Sequence, residues 1–139
     1  YILILITFFV LAGCSSIPNE VTLLTNGNEK TWTTVVQYHI DGADTLYVED
    51  YRWQKTTFNV DGTWKIQQKT KSGKIEESSG TWVMYPEEKE FRFVHPEDTL
   101  TLNREFMPIF KIVELTSTTF SLAEIKDGKY EYYIECKSN

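Results

Sequence analysis

Cys14 is the residue of this chain with the clearest chemical context. An apolar run over Ile2–Leu11 leads to two small residues, Ala12 and Gly13, and then to the cysteine. This order is typical of the apolar region of a signal peptide followed by its processing site. In a lipobox of this form the cysteine thiol accepts a diacylglyceryl group, cleavage occurs before the cysteine, and it becomes the acylated first residue. The sequence therefore predicts that Cys14 is lipidated.

Two other interpretations of the apolar run are weaker. A membrane-spanning helix needs about 20 apolar residues, and this run is shorter. An ordinary secretory signal also ends in small residues, but it does not require a cysteine next to them. We therefore expect residues 1–13 to be the remaining part of a signal peptide, without its basic start, and residues 14–30 to form a lipidated tether and a short helix. Ser15 follows the cysteine where an aspartate is expected for inner-membrane retention, so we expect an outer-membrane lipoprotein that faces the periplasm.

The composition of the chain limits its partners. Residues 31–139 are enough for one domain with a buried core. There are 14 basic and 20 acidic residues, a net charge of −6, and no cluster of lysines and arginines. A nucleic-acid surface needs a basic stripe, so nucleic acid is not an expected partner. The expected partners are the membrane, through the lipid anchor, and a small apolar ligand, while the oligomeric state stays open.

Cys136 is the second of two cysteines, and with Cys14 assigned to lipid no intrachain disulfide is expected. It alternates with Tyr130, Tyr132 and Ile134, the spacing of one strand face. A buried, apolar cysteine is the interpretation that this pattern favours, because a reactive thiol needs exposure and a nearby cation.

No arrangement of residues in this chain predicts catalysis. The two histidines, His39 and His95, lack the spacing of a zinc site. A Gly-x-Ser-x-Gly motif is absent, and the acidic pairs Glu76–Glu77 and Glu87–Glu88 put adjacent carboxylates on opposite faces of a strand. We therefore expect solvated or structural roles for these side chains, no enzyme, and no metal or cofactor site.

The chain after Lys30 has the pattern of an all-β fold. Aromatic and β-branched residues alternate with polar ones, and turn residues recur at short intervals. Asp61-Gly62 between two alternating runs is a strong hairpin signal. Upstream, Val21–Leu24 is predicted to form one helical turn that ends at Asn26-Gly27-Asn28. Asp44–Asp50 is predicted to be either a short helix or a loop, and Leu100 and Leu102 can add a short edge strand. The predicted strands are Trp32–Ile40, Tyr51–Val60, Thr63–Thr70, Ile75–Tyr85, Phe91–Val94, Met107–Leu115, Thr118–Ile125 and Lys129–Lys137.

About eight strands joined mostly by short hairpins form an antiparallel meander. Closing that meander into an up-and-down barrel removes two unpaired edges. The interior of such a barrel is filled by side chains or holds one small ligand. A β-sandwich is the alternative, because alternation does not distinguish a closed sheet from two stacked ones. A transmembrane barrel is not expected, because Lys65, Gln67 and Glu131 occupy positions that would face lipid.

Several motifs together resemble those of the small lipocalin-like lipoproteins of Gram-negative bacteria. They are Leu23-Leu24, Lys30-Thr31-Trp32, Phe58–Trp64, Ser79–Trp82 and Ile112–Leu122. The resemblance covers nearly all of the mature chain. It implies a small lipocalin-like (calycin-like) barrel with a short N-terminal helix across one end, and it implies no particular ligand.

The chain departs from the well-studied lipocalins at one end of this pattern. Gly27 is too far from Trp32 to form their Gly-x-Trp motif, and the last strand has no arginine to pack on that tryptophan. Lys137 is the residue expected to take part of that role. A retinoid- or haem-carrier role is therefore not transferred to this chain.

Aromatic side chains on the predicted inward faces offer two hypotheses about function. One is a cavity with aromatic walls in which Gln68 or a tyrosine hydroxyl orients an apolar ligand. The other is a filled barrel that serves as a structural or interaction protein of the envelope. We expect any pocket at the barrel end opposite the helix. The predicted interior residues are Trp32, Tyr38, Trp64, Trp82, Phe91, Phe93, Phe120, Tyr130 and Tyr132, with Gln68.

Overall fold

The computed structural model describes residues 18–41, 44–47, 53–70, 72–96, 109–126 and 129–138, with the backbone alone at 40–41, 44–47, 126 and 130. No helix within these ranges has the length and apolar character needed to cross a membrane. Cys14 and the signal segment lie outside the described residues, as do Leu100 and Leu102. The elements are α1 (Asn19–Thr25), β1 (Glu29–Asp41), β2 (Asp44–Tyr47), β3 (Lys55–Asn59), β4 (Thr63–Lys69), β5 (Ile75–Tyr85), β6 (Glu90–Val94), β7 (Phe110–Leu115), β8 (Thr119–Lys126) and β9 (Lys129–Lys137).

The strands form one antiparallel sheet that closes on itself. Consecutive strands from β3 to β9 are neighbours, β1 pairs with β3, and the ring closes because β1 also pairs with β9. Eight of the nine strands make up the ring, since β2 pairs only with the end of β1. The predicted eight-stranded barrel is confirmed, and the sandwich alternative is excluded. The ambiguous segment after β1 contains the short strand β2.

The helix closes one end of the barrel. It is longer than the predicted turn over Val21–Leu24, because it begins at Asn19. It stops where predicted, because Asn26 has a φ of 54° in the left-handed region, which ends a helix. Leu24 is fully buried, and its carbonyl accepts a 2.9 Å hydrogen bond from the indole nitrogen of Trp32. The helix and the first barrel strand are thereby joined at the core.

A cation does pack on Trp32, but it comes from Lys30. The Lys30 Nζ atom lies 4.2 Å from the centre of the indole ring and donates hydrogen bonds to the carbonyls of Leu23 and Ser117. Burial lowers the pKa of this amine. Lys137, the residue expected there, instead contacts Thr119 and Glu135. Lys30 takes this position because it lies two residues before Trp32 on the same face of β1, within reach of the carbonyls of Leu23 and Ser117.

A β-bulge in β1 changes which residues of that strand face the interior. The pairing with β9 runs from Thr34 opposite Cys136 to Val36 opposite Glu135, so Val35 is one extra residue. An extra residue moves all later side chains to the other face. Tyr38 therefore pairs with Tyr133 and stacks on it at 5.0 Å between ring centres, on the outer face. The prediction that Tyr38 lines the interior was wrong for this reason.

Gly80 allows β5 to pass close to its neighbours. A Cβ atom at this position would lie 2.2 Å from the Val94 carbonyl oxygen and 2.8 Å from the Trp64 ring. Trp64 is almost fully buried and donates a 2.7 Å hydrogen bond to the Thr81 carbonyl. The predicted Gly-Thr-Trp motif thus has a packing role, because glycine alone leaves room for the Trp64 ring.

We expect Gly80→Ala to lower the free energy of unfolding by about 3 kcal/mol, the upper part of the range for overpacked cores. Urea unfolding followed by circular dichroism measures this loss. Ser79→Ala is the matched control, because the side chain of Ser79, next to Gly80 in the chain, is exposed. An equal, small effect of both substitutions would contradict this account of Gly80.

Candidate functional site

The inner wall formed by β8, β9 and β1 consists of three successive rows of paired residues. Residues directly opposite one another in antiparallel strands project to the same face. The row nearest the helix is Phe120, Cys136 and Thr34, the next is Leu122, Ile134 and Gln37, and the outermost is Glu124, Tyr132 and His39. The wall therefore becomes more polar from the helix end to the open end.

A cavity of about 270 Å³ lies inside the open end of the barrel. Among the described residues, its lining contains aromatic and aliphatic side chains with a few polar groups and includes no lysine, arginine, aspartate or glutamate. This composition is typical of small-molecule sites, in which apolar walls supply contact area and a few polar groups fix orientation. The lining residues are Gln54, Thr56, Phe58, Trp64, Ile66, Phe93, His95, Phe110, Phe120, Leu122, Tyr132, Ile134 and Cys136.

The helix end of the barrel is filled, which confines the cavity to the other end. Trp32, Phe58, Phe91 and Phe120 are all at most 2% exposed. Their rings pack at tilted or edge-to-face angles, for example Phe58 against Phe91 at 5.6 Å and against Phe120 at 5.7 Å. Trp82 stacks on Phe91 at 5.9 Å. This cluster forms the floor of the cavity.

Aromatic contacts also continue along the upper part of the cavity. Trp64 meets Phe93 at 5.7 Å and His95 at 5.0 Å, both edge to face. Phe110 contacts Phe93 at 6.0 Å and Tyr132 at 5.9 Å. Because neighbouring strands contribute these rings, their orientation depends on barrel closure rather than on any one hairpin.

The predicted interior residues fall into four groups. Trp64, Phe93, Phe120 and Tyr132 line the cavity. Trp32, Trp82 and Phe91 belong to the packed core beneath it. Tyr38 lies on the outer face, and Gln68 is exposed and does not line the cavity, so neither can orient a ligand inside it. Tyr130 pairs with Ile125 beyond an irregularity in the pairing of β8 with β9, and its side chain lies outside the described residues.

Other cavity residues were not selected from the sequence. Phe58, Ile66 and Leu122 lie on strand faces that alternation did indicate, so the sequence contained a signal for them. His95 was expected to be a solvated turn residue; it is exposed but borders the cavity against Trp64. Gln37 shares the inner-face row of Ile134 but does not line the cavity; no signal in the sequence indicated its inward placement, because that follows from the bulge alone.

Cys136 has the environment that its strand pattern predicted. It is 5% exposed, and its Sγ atom lies 3.7 Å from the hydroxyl oxygen of Thr34. Burial raises the pKa of the Cys136 thiol to about 11, because the thiolate is poorly solvated there. The thiol therefore serves as an apolar part of the cavity wall, and it is not activated as a nucleophile.

This pKa predicts a loss of stability at alkaline pH. Below the ordinary thiol pKa of 9.0 the Cys136 thiol is protonated in both the folded and the unfolded state. Above pH 9.0 the unfolded chain releases this proton first, so the free energy of unfolding falls as the pH rises through about 11. We expect this contribution to approach about 3 kcal/mol. Urea unfolding of the protein and of Cys136→Ala, from about pH 8 to about pH 11, isolates it. Parallel pH profiles for the two proteins would contradict the prediction.

Comparison with solved structures finds the same architecture in two proteins of Bacteroides. A lipocalin-like protein from Bacteroides uniformis has a TM-score of 0.54 at 16% identity, over 79% of this chain and 96% of that one. An uncharacterized protein from Bacteroides eggerthii has a TM-score of 0.52 at 15% identity, over 79% of this chain and 98% of that one.

Sequence comparison adds nothing to this likeness. No family model matches the chain, and no curated protein matches it. Identities of 15–16% establish a common fold alone. The resemblance predicted from the motifs is confirmed at that level: this chain folds as a lipocalin-like β-barrel with a short N-terminal helix.

Proposed function

We propose that this protein binds a small, mainly apolar molecule in its barrel while a lipid anchor at Cys14 holds it to the outer membrane, facing the periplasm. The cavity opposite α1 is the observation that carries the binding proposal. Its walls are mainly apolar, and the described part of the chain contributes no lysine, arginine, aspartate or glutamate to them. Binding there is driven by the removal of apolar surface from water, at about 25 cal/mol per Å².

The volume of the cavity limits the size of the ligand. A cavity of about 150 Å³ holds benzene, so about 270 Å³ suits a body of about eleven non-hydrogen atoms. This is near the lower limit for ligand sites, which is about 300 Å³. A full-length lipid chain does not fit inside, so the expected ligand is a compact molecule or the end of a longer one.

The membrane anchor is supported by the sequence Leu11-Ala12-Gly13-Cys14. Cys14 precedes Pro18 by four residues, so even a fully extended connection spans at most about 14 Å. The helix that follows Pro18 covers the filled end of the barrel. Anchoring at Cys14 therefore places the filled end next to the membrane and leaves the cavity to open toward the periplasm.

Blocking the cavity tests the binding function. We expect Ile134→Trp, whose larger side chain occupies the cavity, to reduce binding of an apolar ligand at least about tenfold, a change of about 1.4 kcal/mol. Native mass spectrometry of protein purified from its host shows whether a ligand is retained. Val113→Trp is the matched control, because Val113 is 47% exposed on the outer bulge of β7.

Three outcomes of this experiment separate the two functional hypotheses. A ligand retained by the protein and by Val113→Trp, but absent from Ile134→Trp, supports the binding function. Retention by all three contradicts binding in this cavity. A protein that retains no ligand from its host and binds no added apolar probe favours the alternative, a structural or interaction protein of the envelope.

Metabolic labelling with an alkyne fatty acid tests the anchor. Cys14→Ala is expected to abolish the label completely, because the amide-linked chain and the thioether-linked diacylglyceryl group both require that cysteine. Cys136→Ala replaces the other cysteine and should carry as much label as the protein without substitutions. Label that persists in Cys14→Ala would contradict lipidation at this site.

A further inference from the structure

Two neutral polar side chains line the cavity from one face of the β3 segment, those of Gln54 and Thr56. Thr56 is paired with Trp32 of β1 and with Ile66 of β4, whose side chains point inward. The Gln54 carbonyl accepts a 3.0 Å hydrogen bond from the amide of Thr34, which continues the register between β1 and β3 by one residue. Residues opposite one another project to the same face, and Thr34 is fully buried, so Gln54 also faces inward.

The polar groups of both side chains are available to a molecule in the cavity. Within the described part of the chain, neither the Gln54 amide nor the Thr56 hydroxyl makes a hydrogen bond. Their polar atoms also remain accessible to water. The amide oxygen of Gln37 differs in this respect, because it is sealed from water and its residue does not line the cavity.

The opposite side of the cavity is apolar. Strand β7 lies four strands from β3 in either direction around the ring, and β6 and β8 flank it. Among the described residues, these three strands line the cavity with Phe93, Phe110, Phe120 and Leu122. The cavity therefore has one wall with hydrogen-bonding groups and one wall suited to hydrocarbon.

The cavity wall also limits the charge of a ligand. The described lining residues include no lysine or arginine. His95 is the lining side chain that can become a cation, and it is exposed after β6, against the ring of Trp64. A carboxylate beside Gln54 and Thr56 would therefore be buried without a cation, which is far more costly than burying a neutral polar group.

We propose that the ligand is an uncharged amphipathic molecule, such as an alcohol or an amide, whose polar group hydrogen-bonds to the Gln54 amide and the Thr56 hydroxyl. Alternate residues of a strand are about 7 Å apart, and both side chains can donate and accept. The apolar body of the ligand contacts the wall formed by β6, β7 and β8. This inference rests on the proposed binding function, and it adds the chemical class of the ligand and the residues that orient it.

Three aromatic probes of similar size test the proposal: benzyl alcohol, ethylbenzene and benzoate. Each has about eight or nine non-hydrogen atoms, within the limit set by the cavity. Benzyl alcohol and ethylbenzene have nearly the same shape, but a hydroxyl replaces a methyl group, while benzoate is charged. Tryptophan fluorescence reports binding, because the ring of Trp64 is part of the cavity wall.

We expect Thr56→Val and Gln54→Met each to weaken the binding of benzyl alcohol about fivefold, which corresponds to about 1 kcal/mol for one neutral hydrogen bond. Both substitutions remove polar atoms and nearly keep the size of the side chain, so ethylbenzene should bind as before or more tightly. Benzoate should bind more weakly than benzyl alcohol. Gln68→Met is the matched control and should leave the affinity for benzyl alcohol unchanged, because Gln68 is exposed and does not line the cavity.

The outcomes distinguish this inference from the binding function itself. Benzyl alcohol binding that is unchanged in both variants, or that weakens only as much as ethylbenzene binding, overturns the roles of Gln54 and Thr56 while leaving cavity binding intact. An equal loss in Gln68→Met also overturns them. Benzoate binding that is tighter than benzyl alcohol binding overturns the uncharged class. No fluorescence change with any probe overturns the binding function and this inference together. Thermal melts show that each variant is folded.

Discussion

The pairing of β1 with β9 is the constraint on which the rest of the structure depends. Each edge strand of an open sheet exposes unpaired backbone groups, and closure removes both edges at once. Strand β1 pairs along one edge with β3 and β2, and along the other with β9. Only when this ring is closed do the side chains of eight strands face a common interior. The core, the cavity and the docking of the helix all follow from it.

The bulge at Val35 lies in that closing pair and has consequences on both faces. Before the bulge, Trp32 and Thr34 face the interior. After it, the inward positions of β1 are Gln37 and His39. On the outer face it stacks Tyr38 on Tyr133. One extra residue thus turns an amide to the inner face and a tyrosine hydroxyl to the outer face. The presence of a polar residue in this row of the inner face is a result of strand register, not of local sequence.

The contrast between the two barrel ends explains how one small core can be both stable and able to bind. At the helix end, indole and phenyl rings pack against each other, and the Trp32 indole is fixed by the carbonyl of Leu24 and the amine of Lys30. At the open end, smaller residues such as Thr56, Ile66 and Ile134 leave space between the rings of Trp64 and Phe110. Stability is thereby concentrated away from the cavity, so the site need not be tightly packed.

The sequence by itself determined the class of fold and the strand order. Alternation, the Asp61-Gly62 hairpin and regular turn signals depend on residues close together in the chain, so local patterns were sufficient to predict an eight-stranded meander. They also predicted the face shared by Tyr132, Ile134 and Cys136, because that segment of β9 is regular. The helix stop at Asn26 was predicted for the same reason, since a left-handed residue ends a helix locally.

Only the tertiary structure decided what faces the cavity. Bulges form where two distant strands fit together, so the reversal of faces after Val35 has no signal in a single strand. The inward placement of Gln37, the outward placement of Tyr38 and the exposure of Gln68 follow from pairing and from the position of the barrel mouth. The cavity volume likewise depends on how side chains from eight strands pack in one interior. The alternation of residues along a single strand therefore cannot predict it.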